Sequence, residues 1–205
     1  MIKNKIYLTP LIILAIIIVF LAISIIKSEN KNNFLKNNQF QKKSIKFSEF
    51  QLPLIDIASN KNILKNSSSV TENSFSNQDL RGKISIINFF ASWCIVCIKE
   101  HHLIKELSDI YNQKIYHQKV SIFGVAWRDL PENSLTFLNN NGNYYNKVAL
   151  DSKNSLGKLI NLTAVPETII INQQGKIIKH YQGELSRDDF TEIKRTIDEE
   201  YKRLN

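Results

Sequence analysis

The hydrophobic pattern divides the chain in two. From Ile6 to Ile26 almost every position is apolar, interrupted only by Tyr7, Thr9, Pro10 and Ser24. Twenty-one residues at ~1.5 Å each match a hydrocarbon core of ~30 Å, so the run predicts a transmembrane helix over about 6–26. Lys3 and Lys5 give it a positive flank. A cleavable signal peptide is the alternative. The run is longer than the apolar core of such a peptide, however, and bulky Ile25-Ile26-Lys27 stands where small residues are wanted. Ala22-Ile23-Ser24 is a poor cleavage site, so residues 1–26 read as an uncleaved signal anchor. No cysteine lies nearby to carry a lipid.

Residues 27–46 are polar, rich in Asn and Lys and without a period, which is the pattern of a linker. The folded domain is then 47–205. Phe47 to Ile57 reads as a short edge strand or hairpin arm, with Pro53 favouring the edge, and Ala58 to Arg81 as loop. The apolar run Ile84 to Phe90 predicts a buried central strand. A helix follows over about 95–113, with Ile98, His102, Leu103, Leu107 and Ile110 on one face. Val120 to Trp127 is a second buried strand, and Pro131 opens a helix closed at Asn141-Gly142. Lys147 to Leu150 is a brief strand and Ser155 to Leu162 a short helix. Beyond Pro166, the strands Thr168 to Ile171 and Ile177 to Tyr181 form a hairpin. Ser186, with Asp188 and Asp189 in its first turn, starts a last helix to about Arg203. Alternating strands and helices ending in a hairpin predict an α/β fold, a mixed sheet flanked by helices on both faces.

Composition changes this picture little. The 205 residues are 43% hydrophobic and 22% charged, enough for a core. The net charge of +8 raises nucleic acid as a partner. The lysines are scattered, no basic stripe is interleaved with aromatics, and much of the excess lies beside the apolar segment, where anionic headgroups or water account for it. Nucleic acid is not expected.

The chemistry rests on the two cysteines, Cys94 and Cys97. The loop they would close is too short for bulk stabilisation. Where a buried strand turns into a helix, the first sulfur of Cys-x-x-Cys sits at the helix N-terminus, where unpaired N–H groups favour a thiolate. Cys94 is then the candidate nucleophile and Cys97, one turn on, the resolving thiol, with Trp93 walling one side. A zinc site would need two further ligands, and no second Cys-x-x-Cys or spaced His pair exists, so no metal and no cofactor is expected. An inert structural disulfide leaves the strand-to-helix setting unexplained. His101, His102, His117 and His180 read as surface or packing residues.

The segment Asn88-Phe89-Phe90-Ala91-Ser92-Trp93-Cys94-Ile95-Val96-Cys97-Ile98-Lys99-Glu100-His101 resembles the active-site segment of thioredoxin-like proteins. It is most similar to the thiol:disulfide interchange proteins of cytochrome c biogenesis, the CcmG/DsbE family. Gly124-Val125-Ala126-Trp127-Arg128-Asp129 resembles that family's G-x-x-Y-K-D strand end, and Val165-Pro166-Glu167-Thr168 its A-P-E-T segment. The resemblance implies a thioredoxin-like fold in which Pro131 to Leu150 is an extra central helix–strand insert. It implies a redox-active disulfide Cys94–Cys97, a cis-proline at Pro166 facing it, and Val165 offering its backbone to an incoming peptide. Glu100 and Glu167 match the family's acidic residues, either of which could relay a proton, although on periodicity Glu100 reads as a solvated helix-surface residue. Asn88 holds the place of a buried Asp in thioredoxins proper and cannot ionise.

The implied protein is anchored in the bacterial inner membrane with its domain on the periplasmic side. It would reduce the haem-attachment cysteines of apocytochrome c, directly or through a haem-lyase thiol protein, and be re-reduced by a membrane electron donor of the DsbD/CcdA kind. Ile95-Val96 departs from the family, which has Pro first, so direction is not fixed by sequence. A general exported thiol reductase, a disulfide oxidase and a non-catalytic apocytochrome-holding module remain open.

Overall fold

The computed structural model describes residues 14, 18–20, 49–55, 74–113, 116 and 119–203. The chain divides into two units, 1–43 and 44–205. In the first, residues 14 and 18–20 are helical. The expected anchor and linker otherwise lie outside the described residues, among which no helix is long and apolar enough to cross a membrane.

In the second unit, β1 (Gln51–Pro53) and β2 (Ser74–Ser76) pair antiparallel as a small separate sheet. The helix α1 (Asn77–Leu80) follows, capped reciprocally by Ser76 and Asp79. Sequence pattern read 74–80 as loop. Its elements are too short to establish a period, and burial of Phe75 and Leu80 holds them instead. The main sheet is built from β3 (Ile84–Phe90), β4 (Val120–Trp127), β5 (Lys147–Asp151), β6 (Glu167–Ile171) and β7 (Ile177–Gln182). Its order is β5-β4-β3-β6-β7. The first three in sequence run parallel, β6 is antiparallel to β3 and β7 antiparallel to β6.

Every residue of β3 and β4 is buried, so alternation sends side chains to two different cores. Ile84, Ile86 and Phe90 meet Leu103, Ile104 and Leu107 of α2 (Ile95–Tyr111) and Ile193 and Ile197 of α5 (Arg187–Lys202). Ile87 and Phe89 meet Leu52, Phe75 and Leu156, the last on α4 (Ser155–Ile160). The insert is present as expected: α3 (Pro131–Asn141) packs Phe137 and Leu138 into the first core, and β5 extends the sheet beyond β4.

The α2 face differs from the periodic expectation. Ile98 is 44% exposed and His102 lies on the surface. The buried stripe carries Cys97, Glu100, His101, Ile104, Leu107, Ser108 and Tyr111. A helix whose core-facing stripe includes polar groups misleads any reading that follows apolar residues alone.

Candidate active site

The turn after β3 delivers Cys94 as the N-cap of α2, in extended conformation, with Cys97 in the first turn. The two are joined as a disulfide, Cα to Cα 5.2 Å. Cys94 Sγ accepts the Cys97 N–H at 3.0 Å, so the sulfur satisfies one of the donors a helix start leaves unpaired. Cys94 is 6% exposed and Cys97 1%, an order consistent with the outer and inner members of a reactive pair. Around them Trp93, Ile95, Val96, Ile98 and Leu130 stand exposed as an apolar rim. Trp93 lies tilted against Trp127 at 6.4 Å between ring centroids, and its indole N–H points at the Arg128 carbonyl.

Across from the disulfide, Val165–Pro166 is cis, as the resemblance implies. The Val165 carbonyl oxygen lies 3.6 Å from Cys94 Sγ, and the Pro166 carbonyl accepts the Gly183 N–H at 2.9 Å.

The two glutamates the sequence brought to the site lie on opposite faces of the sheet. Glu100 is not a solvated surface residue: it is 1% exposed, one turn beyond Cys97 on the buried stripe of α2. Its Oε1 accepts from Asn88 Nδ2 at 2.9 Å and its Oε2 from the Leu185 N–H at 2.9 Å. Burial raises its pKa to about 7, with the Leu185 and Asn88 donors pulling it back and the Glu184 carboxylate adding to the rise. Glu167 pairs with Phe89 in register and so shares its face, away from α2. Burial pushes its carboxyl upward, but His180 and the N–H groups of Thr163 and Ala164 outweigh this and hold it below its ordinary value. It braces the segment leading into the cis bond.

Residues the sequence reading passed over complete the site. Asp129 is buried and takes the Ser92 N–H (2.7 Å), Ser92 O–H (2.9 Å), Leu130 N–H (2.9 Å) and Ser134 O–H (2.8 Å) on one carboxylate. It thereby ties the reactive turn to the start of α3. The motif ending in Asp129 was visible, but its partners lie up to 37 residues away in sequence. Tyr145, whose O–H donates to Asn88 Oδ1 at 2.8 Å, left no signal at all. His101 is buried among Phe137, Tyr144 and Tyr145, a packing residue as expected, with Nε2 on the Gly142 carbonyl. His102 is exposed, His117 lies outside the described residues, and His180 is the half-buried partner of Glu167. Among the described residues no group of three or more His, Cys, Asp or Glu is placed to hold a metal ion.

Comparison with known proteins agrees with this geometry. The Redoxin family model matches residues 49–197. The thiol:disulfide interchange protein HelX of Rhodobacter capsulatus is 34% identical over 118 residues, 57% of this chain and 62% of that protein. A probable thiol:disulfide interchange protein DsbE-2 of Pasteurella multocida is 32% identical over 123 residues, 60% of this chain and 61% of that one. The chain thus spans about three fifths of the curated relatives it matches. A crystal structure from Chlorobium tepidum, described as a thiol:disulfide interchange protein DsbE, superposes with a TM-score of 0.61 at 18% identity, covering 78% of this chain and 98% of that one, which supports the thioredoxin-like fold. With a matching family model over most of its length and a disulfide capping the helix that follows the central strand, the chain belongs to the Redoxin family and resembles its DsbE-type thiol:disulfide interchange proteins.

Proposed function

We propose that the protein is a membrane-anchored thiol–disulfide oxidoreductase acting in the reductive direction. The observation that carries the exchange chemistry is the Cys94–Cys97 disulfide at the N-terminus of α2, facing a cis Val165–Pro166 bond within an exposed apolar rim. In the reduced protein the Cys94 thiolate attacks a client disulfide, and one client sulfur leaves as a thiolate. Val165 presents its backbone to the client as an added strand. The Cys97 thiol passes its proton to the Glu100 carboxylate, and the Cys97 thiolate attacks Cys94 Sγ. The second client sulfur leaves, two electrons have reached the client, and the Cys94–Cys97 disulfide is restored.

The resemblance to the cytochrome c biogenesis group supports a specific client, the haem-attachment cysteines of apocytochrome c or a haem-lyase thiol protein. The same resemblance supports a DsbD/CcdA-type membrane donor as the source of electrons, and residues 1–26 support attachment to the inner membrane with the domain on the periplasmic side. The test is a Cys97→Ser variant, which should stall as a mixed disulfide through Cys94. Recovery of an apocytochrome or a haem-lyase thiol protein sustains the specific reading, and recovery of a broad client set replaces it with a general reductase. No adduct at all, together with full cytochrome maturation in a Cys94→Ser, Cys97→Ser double variant, leaves only a holding role.

A further inference from the structure

Three residues in register across the sheet, Gly124, Asn88 and Thr168, occupy the face under α2. Because Gly124 has no side chain, the Tyr145 ring lies over it; a Cβ there would meet the ring at 2.8 Å. The ring stacks on Phe90 and its hydroxyl reaches Asn88 Oδ1 at 2.8 Å. The Asn88 amide, 1% exposed, then has both ends engaged, its Nδ2 donating to Glu100 Oε1 at 2.9 Å and to Thr168 Oγ1 at 3.0 Å.

Both hydroxyls can donate or accept, an ionised carboxylate only accepts, and a carboxylic acid also donates. The observed orientation therefore matches ionised Glu100. Turned over, the same amide would accept from protonated Glu100 and from the Thr168 O–H, and donate to the Tyr145 oxygen. We propose that Asn88 is a proton-coupled amide, turning over as Glu100 gains or loses its proton, with Tyr145 as the positioning residue that engages its far end in both states. This deepens the proposed function, since Glu100 is the proton acceptor for Cys97 there. The ionised state uses both amide hydrogens, whereas the protonated state leaves one buried N–H over, which biases the pair towards the carboxylate. The other groups facing Glu100 are Glu184 from the β7–α5 loop, the Leu185 N–H and the Tyr145 phenol, which burial and the Glu100 charge keep protonated.

The turnover has a sign signature. Tyr145→Phe keeps the ring on Gly124 but removes the phenol oxygen that would accept from the turned amide, so it penalises protonated Glu100 more. Thr168→Val removes an acceptor of the unturned amide, so it penalises ionised Glu100 more. In the oxidised full-length chain, where neither cysteine titrates, the Glu100 carboxyl carbon and the Asn88 side-chain amide are followed by NMR as pH crosses neutrality. The expected result is a Glu100 midpoint lowered in Tyr145→Phe and raised in Thr168→Val, each by about one pH unit, tenfold in proton affinity. In the native protein the Asn88 amide resonances move with the same midpoint. Shifts of the same sign, no shift in either variant, or amide resonances that ignore the Glu100 titration overturn the proposal. Because the measurement uses the oxidised state, it stands or falls independently of client reduction.

Discussion

At the scale of single residues, the two glutamates illustrate how burial and partners set a carboxyl in opposite directions. Glu167 has an imidazole and two backbone donors, which overcome its burial. Glu100 has one amide and one backbone donor, and a second carboxylate nearby, so burial prevails. Its folded value of about 7 lies above the ordinary 4.5, so the folded state binds this proton more tightly than the unfolded chain. The stability it contributes is complete below 4.5 and is lost as pH rises through about 7. Glu100→Gln removes that titration. The stability of the variant relative to the native protein should therefore rise across this window, by about 3 kcal/mol at most. Urea unfolding of the disulfide-bonded proteins on either side of the window measures it, and a pH-independent difference would contradict a buried, proton-binding Glu100.

At the scale of elements, the reactive turn is held from two sides. Cys94 caps α2 through its own sulfur, and Asp129 grips Ser92 together with the Leu130 N–H and the Ser134 O–H at the start of α3. Removing the carboxylate strands two backbone N–H groups and two hydroxyls. Asp129→Ala should cost about 3 kcal/mol, and Asp129→Asn, which keeps an acceptor, clearly less. The same variants should speed hydrogen exchange at the Ser92 and Leu130 amides while leaving the centre of β3 protected. Unchanged exchange at those two amides would show that Asp129 does not hold the turn. The strands and long helices of this layer were legible in sequence because they are long enough to repeat a pattern. The face of α2 was not, since Glu100 and His101 are buried by partners on β3 and the insert, which periodicity cannot register.

At the scale of the whole molecule, the apolar segment carries the proposed attachment to a membrane. With residues 1–26 acting as an uncleaved anchor, the full chain should sediment with membranes and resist extraction by alkali, whereas a chain beginning at residue 27 should be soluble. Release of the full chain by alkali would mean that the segment is removed or does not span. The domain's rim of Trp93, Ile95, Val96, Ile98 and Leu130 leaves apolar surface exposed, which the proposed client chain would bury.

The sequence by itself determined the cysteine pair and the order of the main strands and helices, because each is encoded locally: a Cys-x-x-Cys after an apolar run, periods of two and 3.6; the cis bond at Pro166 was implied only by the family resemblance. Only the tertiary structure decided what surrounds that pair. Glu100, Asn88, Tyr145 and Thr168 come from three strands' neighbourhoods and one helix, up to 80 residues apart for a single bond. Their hydrogen bonds exist because buried polar groups must find partners wherever the fold brings them. The same sheet that buries Glu100 on one face turns Glu167 to the other, and no spacing along the chain carries that information.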